Sequence, residues 1–549
     1  MALDGFLYYS VLACWAANLY FLARFAVRWH KNEPARLRAW LALAAVAVPA
    51  VAITCFLPAR GGYDNNHDFL CLGRRFFSDS PRILLYFKEL SPLFTDGVSD
   101  VLSGYSLTAI LWKNRLLPVL SIFVFFTGLR RLGAGITVSA AAAALLFLNF
   151  LSPLNASSFS TTSANVFIWL VSLLALADAC AAPAAGPAAM AWLASSMVLV
   201  ISARFEFLPV NLLLFAALAA LKPAEQREKF FRPASLALLA CGIYVLGLWA
   251  SRAPGPDPAR QLQMPLDPLK HFVYQLGARN LAVIAGAAPP YPGPHDAGAP
   301  SAAGLSAALS CLFLLAAGAG IYAGRRAGAW QGRQLPAALL VFAAWILYFS
   351  CIYAPLDFYP LHFIRHQLFF FVPFVCLAAL ALYGLEREVL RRERLKRIFY
   401  PLCWAAVGLY AALNAAAALR LNGELRTNDR ELAFLMEAQR AWPAGCRVLR
   451  PPFDREDTRQ PLLEKYFPVA EASPRERGCL LEYVSPEPLI FAGRKTPPAA
   501  PAPGAAWRSV SFAHAFYTAF AGSGGEVTRP VPLTVGFFRT KDEGRPTGR

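Results

Sequence analysis

The sequence predicts an all-α, polytopic membrane bundle of about twelve transmembrane helices, followed by a small extracytoplasmic α/β domain. Of the 549 residues, 57% are hydrophobic and 16% are charged, and the mean hydropathy is +0.43. Soluble domains average about 25% charged residues, so this composition excludes a cytosolic enzyme. The charge is also uneven, because about 12% of residues 1–419 are charged against about 26% of residues 420–549. We therefore expect a membrane domain over 1–419 and a soluble domain over 420–549.

Apolar runs of near-spanning length predict the transmembrane helices. A helix needs about 20 predominantly apolar residues to cross the hydrocarbon core of a bilayer. Two of the runs are separated only by Arg204, Phe205 and Glu206. The twelve predicted spans lie near 5–23, 39–57, 116–129, 134–151, 164–178, 188–203, 207–221, 234–250, 304–324, 335–353, 367–385 and 398–419.

The distribution of Lys and Arg predicts the orientation. One alternating set of loops holds about 20 Lys and Arg in about 62 residues, and the other holds about 13 in about 139. Basic loops stay in the cytoplasm, which places the N-terminus, the loops 58–115 and 251–303, and residues 420–549 outside. We expect a multi-pass protein of a bacterial inner membrane. Topology explains the net charge of +18, so membrane lipids are expected partners and nucleic acid is not.

The candidate catalytic base lies in the first outer loop. Directly after the second span, Asp64, His67 and Asp68 lie within five residues. An ionised carboxylate can take a proton from a hydroxyl, so Asp64 and Asp68 are candidates for a general base, with His67 beside them. The competing interpretation is a polar loop tip, because Asn and Asp favour turns. In the same loop, we expect Asp96 and Asp100 to be solvated.

The candidate phosphate-binding residues are cations at the outer ends of predicted spans and, in the case of Lys270, in the second long outer loop. A charge at such a depth is costly unless it is paired or functional, and Arg matches phosphate through its forked donors. The competing interpretations are ion pairing of Arg204 and Glu206, with each other or with other residues, and interfacial snorkelling for the segment His362–Gln367. The candidates are Arg115, Arg204, Lys270, Arg365 and His366, with Glu206 and His362 as further site residues.

The cysteines and the tail give further expectations. No Cys-x-x-Cys pair occurs in the sequence, so we expect no zinc site. Cys446 and Cys479 are the two cysteines of the tail, and an oxidising compartment would permit a disulfide that their spacing alone does not decide. Within the tail, Asp429–Trp442 has helical spacing of apolar residues, and Cys446–Leu449 reads as a strand after a turn.

The order of these features resembles the GT-C superfamily of polytopic glycosyltransferases, especially the bacterial relatives of protein O-mannosyltransferase and of the lipid A aminoarabinose transferase. The resemblance covers roughly residues 39–385. Four passages carry it: an acidic motif, Tyr63–Asp68; an Arg entering a span that ends in a basic pair, Arg115–Pro118 through Leu129–Gly133; a polar outer turn, Pro153–Ser160; and a charged motif with Pro entering a late span, Arg365–Leu368 through Pro373.

The resemblance implies transfer of a sugar from a polyprenyl-phosphate donor to a lipid, glycan or protein acceptor on the outer face. Asp64 or Asp68 would act as the base, and Arg115, Arg204 or Arg365 would stabilise the departing phosphate. Many members carry adjacent Asp and Glu, whereas here Asn65 follows Asp64, so which Asp corresponds stays open. The first span is additional to the family pattern. We expect no obligatory cofactor, and a divalent metal ion stays open.

Three other classes remain. A lipid-linked glycan ligase or polymerase would depend more on Arg and His of the outer loops, as in His362, Arg365 and His366. A transporter would place polar or broken segments near the bilayer midplane, whereas these charges gather at the outer rim. The third of these classes is a non-catalytic scaffold, and Asp→Asn variants would separate it from an enzyme.

Overall fold

The computed structural model describes the residues on which every structural statement below rests. They are 2–57, 76–77, 90–104, 106–158, 161–181, 186–204, 206–220, 235, 238–248, 250, 272, 275, 280–284, 315–328, 334–353, 360–425, 430–449, 467–470, 479–484, 506–514 and 531–539.

Within these residues the chain is mostly helical. Sixteen helices are described, and they are α1 (Ala2–Asn32), α2 (Arg36–Phe56), α3 (Leu90–Ser103), α4 (Leu107–Arg131), α5 (Ile136–Phe147), α6 (Leu151–Ala156), α7 (Thr162–Ala181), α8 (Pro187–Ala203), α9 (Phe207–Ala220), α10 (Leu238–Leu248), α11 (Asn280–Ile284), α12 (residues 315–326), α13 (Gln334–Tyr353), α14 (Pro360–Val389), α15 (Glu393–Leu425) and α16 (Arg430–Arg440).

Six of the described helices are long and apolar enough to cross a membrane: α1, α2, α4, α7, α14 and α15. Five shorter apolar helices accompany them, namely α5, α8, α9, α10 and α13. Each of the twelve predicted spans overlaps helical residues, including 315–326 for the span near 304–324. These apolar helices are consistent with a multi-pass membrane protein.

Helix α7 forms the centre of the bundle. Its apolar residues surround the helix on all sides and are almost entirely buried, as expected for a helix enclosed by other helices. Trp169 of α7 stacks on Phe207 of α9 with ring centroids 4.5 Å apart, and Trp345 of α13 meets the same indole edge-on at 4.9 Å. The outer faces of α1 and α15 expose large apolar side chains, which suits contact with lipid.

Helices α12 and α14 approach closely at glycines. A Cβ atom at Gly320 would lie 2.7 Å from the Ala381 carbonyl oxygen, and one at Gly384 would collide with the Gly320 carbonyl oxygen and the Gly324 backbone. Gly320 and Gly324 are four residues apart and therefore share a helix face. Small residues at this spacing allow membrane helices to pack backbone to backbone.

The contacts divide the helix ends into two groups. We call one group of helix ends the basic end. There, Nη2 of Arg130 lies 2.6 Å from the Glu33 carboxylate, and the Asp178 carboxylate pairs with Arg28 at 3.2 Å and with Arg131 at 3.0 Å. These five residues all belong to, or flank, the loops that the sequence predicts to be cytoplasmic. The other, which we call the polar end, lies around Leu57, Arg115, Ser158 and Arg204.

A five-stranded sheet follows the helices. Its strands are β1 (Cys446–Leu449), β2 (Val469–Ala470), β3 (Cys479–Val484), β4 (Ala506–His514) and β5 (Val531–Arg539). Helix α16 precedes it, and the strand order is β2-β1-β3-β5-β4, with β1 parallel to β2 and β3, and β5 antiparallel to β3 and β4. Cys446 and Cys479 face each other on β1 and β3 and form a disulfide. The predicted helix and strand of the tail are therefore confirmed.

Candidate functional site

The predicted site residues fall into three groups in the structure. Arg115, Arg204, Glu206 and His366 are fully described, and all four lie at the polar end. The backbones of His362 and Arg365 lie in the first two turns of α14, and their side chains are outside the described set. Asp64, His67, Asp68 and Lys270 lie outside the described residues.

Arg204 occupies the break between α8 and α9. Its backbone is extended (φ −151°, ψ 111°), which ends α8, while its N–H still donates to the Val200 carbonyl oxygen at 2.8 Å. The side chain is only 5% exposed, and its Nη1 lies 3.0 Å from Oε1 of Glu206. Arg204 and Glu206 therefore pair with each other, which is one of the arrangements that the sequence left open. Burying a guanidinium at a helix break is costly without such a partner.

An aromatic ring joins this ion pair to α14. The Arg204 guanidinium lies 5.2 Å from the ring centroid of Phe369, within the range of a cation–π interaction. The ring of His366, which is buried, lies 6.5 Å from the same Phe369 ring. Phe207 supports Phe369 from the start of α9, with centroids 5.0 Å apart. The fold thus brings Arg204, Glu206 and His366 of the predicted set together around one phenylalanine.

Arg115 lies about two turns inside α4 and reaches across to the end of α2. Its Nη2 donates a hydrogen bond to the Leu57 carbonyl oxygen at 2.9 Å, and its guanidinium lies 5.3 Å from the ring of Trp112. Leu57 is the residue that ends α2. Residues 58–75, which include the acidic motif, follow it in the chain. The contact fixes the guanidinium of Arg115 at the residue that precedes the predicted first outer loop.

The expectation that Asp96 and Asp100 are solvated is wrong. Both are buried on α3, and the Asp96 carboxylate forms an ion pair with Lys113 of α4. Lys113 also donates to Oγ1 of Thr95 at 3.3 Å. Residues four apart on a helix share one face, and this face of α3 packs against α4, α7 and α8. Leu93, Asp96 and Asp100 are three and four residues apart and lie between predicted spans. This helical spacing is the signal that could have revealed the buried face.

The segment predicted as a polar outer turn is instead largely helical. Residues Leu151–Ala156 form α6, all six of them buried. The polar residues that follow are buried as well, because they lie under the start of α4: Nδ2 of Asn114 donates to the Ser158 carbonyl oxygen at 2.9 Å. The resulting buried polar layer comprises Asn114, Asn155, Ser157, Ser158, Thr161, Thr162, Ser163 and Asn165.

Sequence reasoning also missed a cluster of three amides beside His366. Gln367 and Gln275 exchange two hydrogen bonds through their amide groups, at 2.9 and 3.1 Å. Nε2 of Gln367 also donates to Oδ1 of Asn280 at 2.7 Å. All three residues are buried. The amides fix the first turns of α14 against the residues around α11, and Gln367 next to His366 was the available signal.

The described residues bear on whether the polar end could hold a metal ion. Among the described residues, no group of three or more His, Cys, Asp or Glu is placed to hold a metal ion. Asp64, His67 and Asp68 lie outside the described residues. The chain matched neither a known family model nor a curated protein when it was compared with both.

Proposed function

We propose that this chain is a multi-pass membrane glycosyltransferase of the GT-C type. It transfers a sugar from a polyprenyl-phosphate donor to a lipid, glycan or protein acceptor at the polar end of the bundle. The observation that carries the proposal is the hydrogen bond from Arg115 to the Leu57 carbonyl oxygen. Through it, the cation of one motif contacts the residue from which the chain continues into the acidic motif, Tyr63–Asp68.

The proposed reaction is a direct displacement. The carboxylate of Asp64 or Asp68 takes the proton of the acceptor hydroxyl, and the acceptor oxygen attacks the anomeric carbon of the sugar. The bond from that carbon to the phosphate oxygen breaks, its electron pair goes to the phosphate, and the configuration inverts. The polyprenyl phosphate that leaves gains negative charge, which a nearby guanidinium stabilises.

The burial of Arg204 supports a role in binding the phosphate. A guanidinium that is held by a carboxylate and an aromatic ring is oriented before any ligand arrives, which increases its electrostatic effect in a site that excludes water. Lys270, Arg365 and His366 remain candidate phosphate contacts. Arg365 and His366 lie at the start of α14, whose Phe369 contacts Arg204.

Two observations support an extracytoplasmic polar end. The disulfide of Cys446 and Cys479 is the kind of bond that persists in oxidising compartments. In addition, Nη2 of Arg440 in α16 donates to Oγ1 of Thr108 in α4 at 2.9 Å, so the tail contacts the same end as Arg115. We therefore propose that residues 420–549 form an extracytoplasmic domain over the site of a bacterial inner-membrane enzyme, with Cys446–Cys479 as its internal link.

The test is sugar transfer in isolated membranes from a panel of radiolabelled polyprenyl-phosphate sugars. Wild type is compared with Asp64→Asn and Asp68→Asn, and with Asp79→Asn as a control from the same loop. We expect one of the first two variants to lose transfer by at least a hundredfold at equal membrane abundance. Full activity in both would refute the proposed base. Repeating the assay with EDTA and with added Mg²⁺ or Mn²⁺ tests whether a divalent ion is required.

A second candidate function is a ligase or polymerase that acts on lipid-linked glycans. The arrangement of Arg204 and His366 around Phe369 favours it, because that cluster contains a cation and an imidazole, the groups on which this class depends. For this function, His366→Gln abolishes product formation while Asp64→Asn and Asp68→Asn leave it unchanged. The same panel of variants therefore separates the two functions when it is assayed with a lipid-linked oligosaccharide as well.

A further inference from the structure

A large cavity lies at the opposite end of the bundle from the proposed site. Its volume is about 760 Å³, within the range of small-molecule binding sites. Four elements enclose it: the start of α2, the turn between α4 and α5, the end of α14 and the start of α15. Polar and basic side chains line its mouth, and aromatic and aliphatic ones line its wall, the main ones being Arg38, Arg130, Glu386, Arg387, Tyr400 and Trp404.

The charges around this cavity leave a single net positive charge. Arg130 is neutralised, since its Nη2 and Nε contact the Glu33 carboxylate at 2.6 and 3.3 Å. Glu386 is buried, and its Oε2 accepts the Gly135 N–H at 2.9 Å. Arg38 and Arg387 are exposed, and their two positive charges exceed the single negative charge of Glu386 by one. Arg387 bonds to the Tyr383 hydroxyl at 3.0 Å, and Arg38 has no hydrogen bond or ion pair among the described residues.

Two glycines shape the backbone beside the cavity, between α4 and α5. A Cβ atom at Gly135 would overlap the Glu386 carboxylate, so only glycine permits this carboxylate to cap the start of α5. Gly133 has a φ of +93°, which turns the chain between α4 and α5.

An apolar crevice is lined by the next turns of three of these helices, α5, α14 and α15. It has a volume of about 260 Å³ and lies between α5, α14 and α15. On α5 the lining advances from Ile136 in the cavity to Leu145 in the crevice, about 13 Å further along the helix. On α15 it advances from Tyr400 to Tyr410 in the same direction. The crevice is lined by Ala141, Ala144, Leu145, Leu382, Cys403, Ala406, Val407 and Tyr410.

We propose that the cavity and crevice together bind one anionic phospholipid. Arg38 and Arg387 bind its phosphodiester, and one acyl chain lies in the crevice between α5, α14 and α15. A phosphodiester carries one negative charge, which complements the single net positive charge of the cavity. The crevice accounts for a lipid rather than a free anion, since its lining is almost entirely apolar. Basic pockets between transmembrane helices bind anionic headgroups in this way.

The test uses the purified full-length protein in detergent. Native mass spectrometry measures binding of dioleoyl-phosphatidylglycerol, of dioleoyl-phosphatidylcholine, of a polyprenyl monophosphate and of inorganic phosphate. We expect phosphatidylglycerol to bind at least tenfold more tightly than each of the other three. Equal binding of phosphatidylcholine would overturn the charge argument. Tighter binding of the polyprenyl phosphate or of inorganic phosphate would overturn the assigned occupant.

Matched variants test the two halves of the site separately. Arg38→Gln and Arg387→Gln should each weaken phosphatidylglycerol binding about fivefold, whereas Arg36→Gln, an exposed arginine on the same helix outside the cavity, should leave it unchanged. Ala406→Phe, which fills the crevice, should reduce binding at least fivefold, and Ala405→Phe should not. Positions 36, 38, 387, 405 and 406 are all exposed, so the variants should fold. Equal effects within either matched comparison would overturn the proposal.

Discussion

The guanidinium of Arg115 donates a hydrogen bond to the Leu57 carbonyl oxygen across a distance of 2.9 Å. This contact joins the beginning of α4 to the end of α2, although the two residues are 58 positions apart. Arg115 is therefore a link between two helices and a cation held at the residue from which the chain continues into the predicted first outer loop.

The first prediction concerns these two roles of Arg115. Arg115→Gln should reduce sugar transfer by about 10²- to 10³-fold, because a preorganised positive group is lost from the departing phosphate. Losing the hydrogen bond to Leu57 should cost only about 1 kcal/mol of stability. Transfer rates and thermal unfolding in detergent measure the two effects separately. Arg24→Gln, which removes an exposed arginine at the basic end, is the control.

If Arg115→Gln lowers activity and stability in proportion, Arg115 is structural only. A fall in kcat with unchanged unfolding temperature supports the role at the phosphate. Arg115→Lys distinguishes charge from geometry, because a lysine restores the charge without the forked donors. Partial recovery of the rate in this variant would indicate that charge dominates.

The second prediction concerns the buried ion pair of Asp96 and Lys113. Lys113→Met removes the partner of a buried carboxylate and should destabilise the protein by about 3–5 kcal/mol. The double variant Asp96→Leu with Lys113→Met removes both charges and should recover most of this loss. Unfolding by SDS in mixed micelles measures both variants. The exposed pair of Arg392 and Glu388 is the control, where removing the arginine should cost less than about 1 kcal/mol.

A double variant as unstable as Lys113→Met alone would show that shape, and not charge, fixes α3 against α4. This comparison also bears on the site. If the double variant is stable but inactive, the pair belongs to the binding machinery rather than to the scaffold.

The third prediction concerns the close approach of α12 and α14. Gly384→Ala should destabilise the protein by about 1–3 kcal/mol, because the new Cβ collides with the Gly320 carbonyl oxygen. Gly408→Ala on α15 has open space around its Cβ and should be neutral or stabilising by up to about 1 kcal/mol. The midpoint of thermal unfolding in detergent compares the two. Equal midpoints would mean that the two helices can separate without loss.

The sequence predicted a mostly helical chain with membrane-spanning helices, because apolar length is a local property. Each predicted span overlaps helical residues, and Cys446–Leu449 forms the predicted strand. It did not predict the burial of Asp96 and Asp100, since that depends on α3 packing against α7 and α8, which are distant in sequence, as well as against the neighbouring α4. Pairing of Arg204 with Glu206 was predictable from their spacing at a break. The contact of Arg204 with Phe369 was not, because 165 residues separate them.

The fourth prediction concerns the disulfide and the orientation of the tail. In whole cells, Cys446 and Cys479 should resist a thiol reagent until a reductant is added, because they are paired. After reduction, a membrane-impermeant maleimide should label both, since the tail is expected outside. Mass spectrometry of tail peptides measures the labelling. A single-cysteine variant with a cysteine at Arg391, which is exposed at the basic end, is the control that should label only after the cells are permeabilised.

Replacing both cysteines by serine should also destabilise the sheet. The disulfide closes a loop over a sequence separation of 33 residues. Chain-entropy arguments give about 3–4 kcal/mol for such a loop. Because Arg440 of α16 bonds to Thr108 at the polar end, loosening of the sheet should also lower transfer, but less than Arg115→Gln does. Labelling of the tail only in permeabilised cells would reverse the orientation, place the polar end in the cytoplasm and remove the main reason for a lipid-linked sugar donor.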